Sequence, residues 1–303
     1  MNKTLKLSIA ALFLGFSGMA AAALPVAQND AISVAVTTAE VGPNIATEVR
    51  NTSSNTIADG AFHAVEGINQ VQQNNGANNA MQQGAAVAVN RDDDNAQPLD
   101  LSLAASVNLG GTVLNYSDVN GNMSDNTIAG DSFKDGAGIS QAQQNNGNNN
   151  AMQQSTSVAV NQDIDDTAQM VVPPALSLAV GGSLGNTAYT SKSEQSNSIS
   201  GEAFKDAAGI SQVQQNNGSN STMQQGAAVA VNESTAPFNM ALAVAALGAT
   251  VAGNQSYESG NTRTNEICGP AFSHVSGISQ VQQNSGNNSM MQQTVAVSVN
   301  GGL

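Results

Sequence analysis

Gly67 to Asn90 reads GINQVQQNNGANNAMQQGAAVAVN, and Gly209 to Asn232 reads GISQVQQNNGSNSTMQQGAAVAVN; twenty of these 24 positions are identical. Two further copies run from Gly138 to Asn161 and from Gly277 to Asn300. All four share G-I-x-Q-x-Q-Q-N-x-G-x-N-x-x-M-Q-Q-x-x-x-V-x-V-N. Repetition at a fixed step marks an architecture of stacked units. The step is 71, 71 and 68 residues, kept by Phe62, Phe133, Phe204 and Phe272 and by Met81, Met152, Met223 and Met291.

Working outward, each unit has a less regular first half. It opens with an alternating stretch such as Leu101-Ser102-Leu103 or Leu176-Ser177-Leu178, and continues with N-x-I (Asn55/Ile57, Asn126/Ile128, Asn197/Ile199, Asn265/Ile267) before the Phe. Tyr116, Tyr189 and Tyr257 recur in the last three units. The links hold proline and acid, as in RDDDNAQPLD from Arg91. The units are therefore 24–97, 98–170, 171–238 and 239–303, preceded by a leader over 1–23.

Read with period two, Met81, Gln83, Ala85, Val87 and Val89 share one face, and Ala80, Gln82, Gly84, Ala86 and Ala88 the other. That is strand periodicity, and the small face lets a second sheet approach closely. Upstream, Ile68, Gln70 and Gln72 share a face opposite Val71 and Gln73. Between the two strands lies Asn75-Gly76, repeated as Asn146-Gly147, Asn217-Gly218 and Ser285-Gly286. Asn-Gly is a strong tight-turn signal because both residues tolerate positive φ. The unit reads as strand, turn, strand, whether the two strands bond to each other as a hairpin or face each other as a β-arch. A turn or two of helix around the Phe, at Ala61–Gly67 or Asp131–Gly138, is the weaker alternative, because Gly ends and Asn clusters disfavour it. The expected fold is all-β: a repeat protein, either a β-solenoid or stacked β-arches or hairpins (cross-β), from four copies of the unit.

The four 24-residue windows contain no charged residue, although the chain carries −14. Strands stacked about 4.8 Å apart would hold like charges well within the Debye length of about 8 Å. Amides instead hydrogen-bond along the stack, donor to acceptor. Five Gln positions per unit are the candidate self-assembly ladder: Gln70, Gln72, Gln73, Gln82 and Gln83; Gln141, Gln143, Gln144, Gln153 and Gln154; Gln212, Gln214, Gln215, Gln224 and Gln225; Gln280, Gln282, Gln283, Gln292 and Gln293. No Lys or Pro within the windows blunts the outer edges, so growth into a fibre is expected.

Composition narrows the function. The 37 Asn and 26 Gln make about a fifth of the 303 residues amides; Trp is absent and only 3% of residues are aromatic. Eight Lys+Arg against 22 Asp+Glu exclude a basic nucleic-acid binder. A single Cys excludes a disulfide scaffold. Lys3 and Lys6, the short apolar run Leu7–Phe16 and the small residues Ala20–Ala23 read as an export signal, not a membrane span. Losing it takes the net charge from −14 to −16. An exported, acidic chain is expected, without membrane insertion.

Catalytic patterns are missing: no G-x-S-x-G, H-E-x-x-H, P-loop or G-x-G-x-x-G stands in strand–helix context. No enzyme activity, cofactor or metal is expected. His63 and His274 sit at different offsets from their Phe and form no repeated site. Cys268 falls where the other units have Ala58, Ala129 and Ser200, which reads as a buried small position, or else as a free thiol for intermolecular contact. Asp92, Asp93 and Asp94, with Asp163, Asp165 and Asp166, invite a calcium reading, but match no EF-hand loop; solubilising links account for them better.

The amide-rich stretch Gln72–Gln83 (QQNNGANNAMQQ), set between strands, resembles the Gln/Asn repeats of curli subunits. The longer unit, N-x-I then Phe then Gly-Ile then amide-rich turn then alternating small residues and Val, resembles the Fap-type fibre subunit, so the chain is similar to the bacterial functional amyloids of biofilm. Two departures stand out: Fap-type subunits tend to end in Cys-x-x-Cys whereas this chain has only Cys268 and ends GGL, and its windows are richer in Gln. The resemblance implies a secreted structural subunit that assembles with itself into cell-surface fibres, with a nucleator subunit and an outer-membrane export pore as partners. The alternative is a monomeric β-solenoid adhesin that displays Phe and Tyr of the first halves to a surface ligand.

Overall fold

The structure, a computed structural model, describes residues 30–92, 99–163, 170–234 and 238–301. The leader and the link residues Asp93, Asp94, Asp165 and Asp166 lie outside them. The described chain is all β, in parallel strands. The first repeat contributes β1 (Asp30–Val41), β2 (Ile45–Val49), β3 (Thr52–Ile57), β4 (Glu66–Asn74) and β5 (Ala80–Asp92). The second gives β6 (Leu99–Val113), β7 (Tyr116–Asn120), β8 (Met123–Ile128), β9 (Ala137–Asn145) and β10 (Ala151–Asp163). After the short β11 (Met170–Val172), the third gives β12 (Pro174–Leu184), β13 (Thr187–Ser191), β14 (Glu194–Ile199), β15 (Ala208–Asn216) and β16 (Thr222–Glu233). After β17 (Phe238–Asn239), the fourth gives β18 (Leu242–Ala252), β19 (Gln255–Ser259), β20 (Thr262–Ile267), β21 (Ser276–Asn284) and β22 (Met290–Asn300).

Among the described residues five sheets result, and corresponding strands of successive repeats are the neighbours in each. Strand β4 pairs with β9 and strand β5 with β10, not with each other, so the two Gln-rich strands of a repeat do not form a hairpin. Register follows the repeat: Gln72 is opposite Gln143, Gln143 opposite Gln214, and Gln214 opposite Gln282.

The β5 sheet lies between two others. Its small face meets the β1 sheet through Ala86, Ala88, Ala104, Ala159, Ala175, Ala228 and Ala230, so the expected close approach is what the alanines provide. Its Met face meets the β4 sheet, where Ile139, Ile210 and Ala227 are buried together. On the far side of the β4 sheet, the β3 sheet closes a third core around Ile128, Ile199, Phe133, Phe204 and Val213.

The Phe residues sit in the corner between the β3 and β4 sheets. Their rings stack at 4.8, 4.6 and 4.7 Å with interplanar angles of 10°, 2° and 5°. All four backbones are left-handed, with φ of 61°, 60°, 60° and 60°. A bulky residue in that region costs about 1–3 kcal/mol, offset by ring burial, with Phe133 and Phe204 nearly inaccessible. This corner is turn, not helix; the alternation of left-handed residues, such as Asp59, Phe62 and Ala64, breaks any helical run.

Three further expectations need correction. Asn75-Gly76 is not a positive-φ pair: the left-handed residue is Asn78, and likewise Asn149, Asn220 and Asn288. Instead, Asn74 Oδ1 accepts from the Gly76 amide (3.2 Å), an Asx-type turn. Tyr116 is not the counterpart of Tyr189 either. Asp118 is opposite Tyr189, and Tyr116 is opposite Thr187. The rings still meet diagonally at 5.6 Å and 44°, whereas Tyr189 and Tyr257 are in register and stack at 4.6 Å. Leu101-Ser102-Leu103 is likewise displaced, since Ser177 lies opposite Ser106.

Candidate functional site

The twenty ladder glutamines form five columns, and every step in each column is an amide-to-amide hydrogen bond. Gln70, Gln141 and Gln212 each donate to the next repeat's Gln, at 2.7, 2.8 and 2.7 Å, ending on Gln280. Gln72, Gln143 and Gln214 do the same toward Gln282, at 3.2, 3.1 and 3.2 Å. So do Gln83, Gln154 and Gln225 toward Gln293, at 2.8, 3.0 and 3.3 Å. The other two columns run the opposite way. Gln144, Gln215 and Gln283 donate back toward Gln73 at 2.8, 2.8 and 2.6 Å. Gln153, Gln224 and Gln292 donate back toward Gln82 at 2.7, 2.6 and 2.8 Å.

Burial makes these bonds matter. Gln141, Gln143, Gln144, Gln153, Gln154 and their third-repeat counterparts are almost fully buried. A paired amide contributes about 0.5–1.5 kcal/mol net, while a buried unpaired one costs about 1–3 kcal/mol. Spare amide hydrogens reach backbone carbonyls of the facing sheet, as from Gln143 to Gln82 (3.0 Å) and from Gln154 to Ala142 (3.1 Å). The columns thus tie neighbouring sheets as well as neighbouring repeats.

Asparagine columns, which the Gln-centred reading missed, run beside them. Asn145, Asn216 and Asn284 donate back along the stack toward Asn74 at 3.0, 3.0 and 2.8 Å. Asn55, Asn126 and Asn197 donate forward toward Asn265 at 3.0, 3.0 and 2.9 Å, and also across to Asn75, Asn146 and Asn217 at 2.8 Å each. The signal was present: these Asn keep the same step as the Gln.

The turn glycines are where backbones approach closest. A Cβ on Gly76, Gly147 or Gly218 would lie 1.9 Å from the carbonyl oxygen of the next repeat's glycine. A Cβ on Gly138, Gly209 or Gly277 would lie 2.2 Å from the preceding repeat's carbonyl oxygen. At the two ends nothing among the described residues plays that part: Gly286 would meet only Asn284 Oδ1 at 3.6 Å, and Gly67 nothing within 4 Å. A cleft of about 1010 Å³ opens on the first-repeat end, lined in part by Val41, Asn55, Val71, Gln73 and Met81.

Cys268 is exposed, which corrects the buried-small-residue expectation. It ends the column in the last repeat, where among the described residues no further strand covers it. Desolvation and the neighbouring Glu266 carboxylate push its thiol up. A cluster of charged groups stands beside the Phe corner: Glu202 accepts from Lys134 and, at 2.9 Å, from Lys205. Those two ammonium groups hold its carboxyl at about 2, well below the ordinary 4.5. His63 faces Asp135 and His274 faces Asp206, each at 3.4 Å. The histidines are thus separate, one at each end of the stack. Among the described residues no group of three or more His, Cys, Asp or Glu is placed to hold a metal ion.

No protein-family model matches the chain, and comparison with curated proteins and with solved structures finds no significant match.

Proposed function

We propose that this chain is a secreted structural subunit whose four repeats are the turns of a β-solenoid, each holding one Gln-rich β-arch, and that it lengthens by stacking on copies of itself into amyloid-like fibres at the cell surface. The carrying observation is the complementarity of the two ends. The last repeat ends three Gln columns on a donor amide (Gln280, Gln282, Gln293) and two on an acceptor oxygen (Gln283, Gln292). The first repeat ends the same columns on three acceptor oxygens (Gln70, Gln72, Gln83) and two amide donors (Gln73, Gln82). A second copy in the same register would continue all five columns. It would also place a carbonyl against Gly286, where glycine is present although a single chain has no steric need of it.

The open strand edges of β22 and of β5, the latter uncharged from Ala80 to Asn90, favour this reading over a monomeric adhesin, since long edges without charge are pairing templates. Resemblance to the biofilm amyloids supports export, a nucleator subunit and a role in matrix or adhesion. The experiment is seeded incubation of the chain lacking 1–23. Thioflavin-positive fibres with a reflection near about 4.8 Å are expected; a stable folded monomer at high concentration on size exclusion would favour the adhesin and overturn the polymer.

A further inference from the structure

The outward face of the β1 sheet is aliphatic. The inward face is fixed by Ser102, which donates to the Ala88 carbonyl (2.8 Å), and by Ser177, which donates to the Ser155 carbonyl (2.8 Å). Residues alternating with these point away from the core. In the first repeat they include Ile32 and Val34, 48% and 52% exposed; in the fourth, Leu242 and Val244, 45% and 40% exposed. In register between them run columns such as Val34–Ala105–Leu176–Val244 and Val36–Val107–Leu178–Ala246. From Ile32 to Thr38, and across the strands opposite, this face carries no charged side chain; Glu40 marks its limit on the first strand. Its relief is shallow, with Ala105 forming a dip between Val34 and Leu176.

Size decides what could cover it. Four columns two residues apart span about 23 Å and four strands about 19 Å, giving about 400 Å² per chain. An exposed apolar patch of that size is as large as the largest an ordinary monomer carries, and such patches are often functional. Yet it is only about half of the roughly 800 Å² per partner that a stable complex buries. A lone subunit therefore has too little to hold a partner, whereas two or more subunits stacked end to end present enough.

From this we infer that the face is a lateral interface on which two filaments pair, aliphatic sheet against the same sheet of the second filament. The inference rests on the polymer reading above. Sheets in such a pair would lie about 10 Å apart. The contact uses one patch on both partners, so it closes at two filaments instead of growing into open arrays.

The test is electron microscopy of filaments from the chain without 1–23, from Val180→Lys and Leu176→Lys, and from Asn120→Lys as a control on another sheet. One introduced lysine recurs only about every 19 Å along a filament, beyond the Debye length of about 8 Å. Elongation is then unimpeded, while pairing would bury an unpaired charge. Paired filaments from the unaltered chain and the control, with pairing lost in both face variants, are expected. Single filaments from the unaltered chain overturn this inference and leave the polymer reading standing. Pairs at undiminished frequency in the face variants overturn it too. So does failure of both face variants to form any filament, since the face would then serve the fold. No filament at all from the unaltered chain overturns both readings together.

Discussion

Gly76 lies so close beneath Gly147 that a methyl group on its α-carbon would sit 1.9 Å from the Gly147 carbonyl oxygen. The same contact recurs one step along, between Gly147 and Gly218, and stops at Gly286, whose side is open. The two positions are therefore expected to respond differently to one substitution. Gly147→Ala should lower stability by about 1–3 kcal/mol, the usual cost of overpacking, read from the thermal unfolding midpoint. Gly286→Ala should leave that midpoint unchanged and slow seeded elongation, read by thioflavin. Equal effects of the two on folding would count against a special role for the open end.

The amide columns give the second prediction. Gln143→Ala strands the Gln72 amide and the Gln214 carbonyl oxygen, both of which it now pairs. A loss of about 1–3 kcal/mol is expected in denaturant unfolding. Lysine at Gln72 and at Gln143, Gln214 and Gln282 together places four ammonium groups about 4.8 Å apart, and fibre growth should stop. Elongation at the unmodified rate with those lysines in place would refute the ladder account.

Phe204 is sandwiched between Phe133 and Phe272 and fully buried. Phe204→Ala removes the ring from the middle of the stack and leaves a cavity. A loss of about 3–5 kcal/mol is expected by chemical denaturation. Phe62→Ala, at the partly exposed end of the same stack, should cost clearly less.

Acid should weaken the corner in a defined window. Glu202 is held at about 2 by its hydrogen bonds to Lys134 and Lys205, against an ordinary 4.5. A depressed carboxyl stabilises the fold fully above its unfolded value and ceases to as pH falls through its folded one. The unfolding temperature should therefore drop between about pH 4.5 and 2. Glu202→Gln should remove that part of the drop and leave the rest of the profile in place.

How much of this was legible in advance follows from what each residue depends on. Gln70 to Gln83 could be placed because a fixed spacing, once strands are parallel, brings Gln opposite Gln without further information. Asn55 and Ile57 could be aligned for the same reason. The Asn-Gly turn was misread because dipeptide preference reports hairpin turns, whereas here glycine answers to the repeat above it; Asn78 takes the left-handed turn instead. Tyr116 was misaligned because recurrence of a residue type was read as equivalence, and the strand register shows a shift of two. The left-handed Phe corner gave no local signal, since the stacked rings that stabilise it come from residues 71 or 68 positions away. Cys268 is exposed because it stands in the last repeat, a matter of position in the stack and not of neighbouring sequence.

The fourth repeat arrives after a link three residues shorter than the other two, yet Val244 still sits opposite Leu176 and Gln282 opposite Gln214. Connector length is thus uncoupled from the lattice it joins. The segments between units are natural places to graft foreign peptides, such as a metal-binding tag or an enzyme handle. A filament carrying such grafts would display its cargo at even intervals along its length.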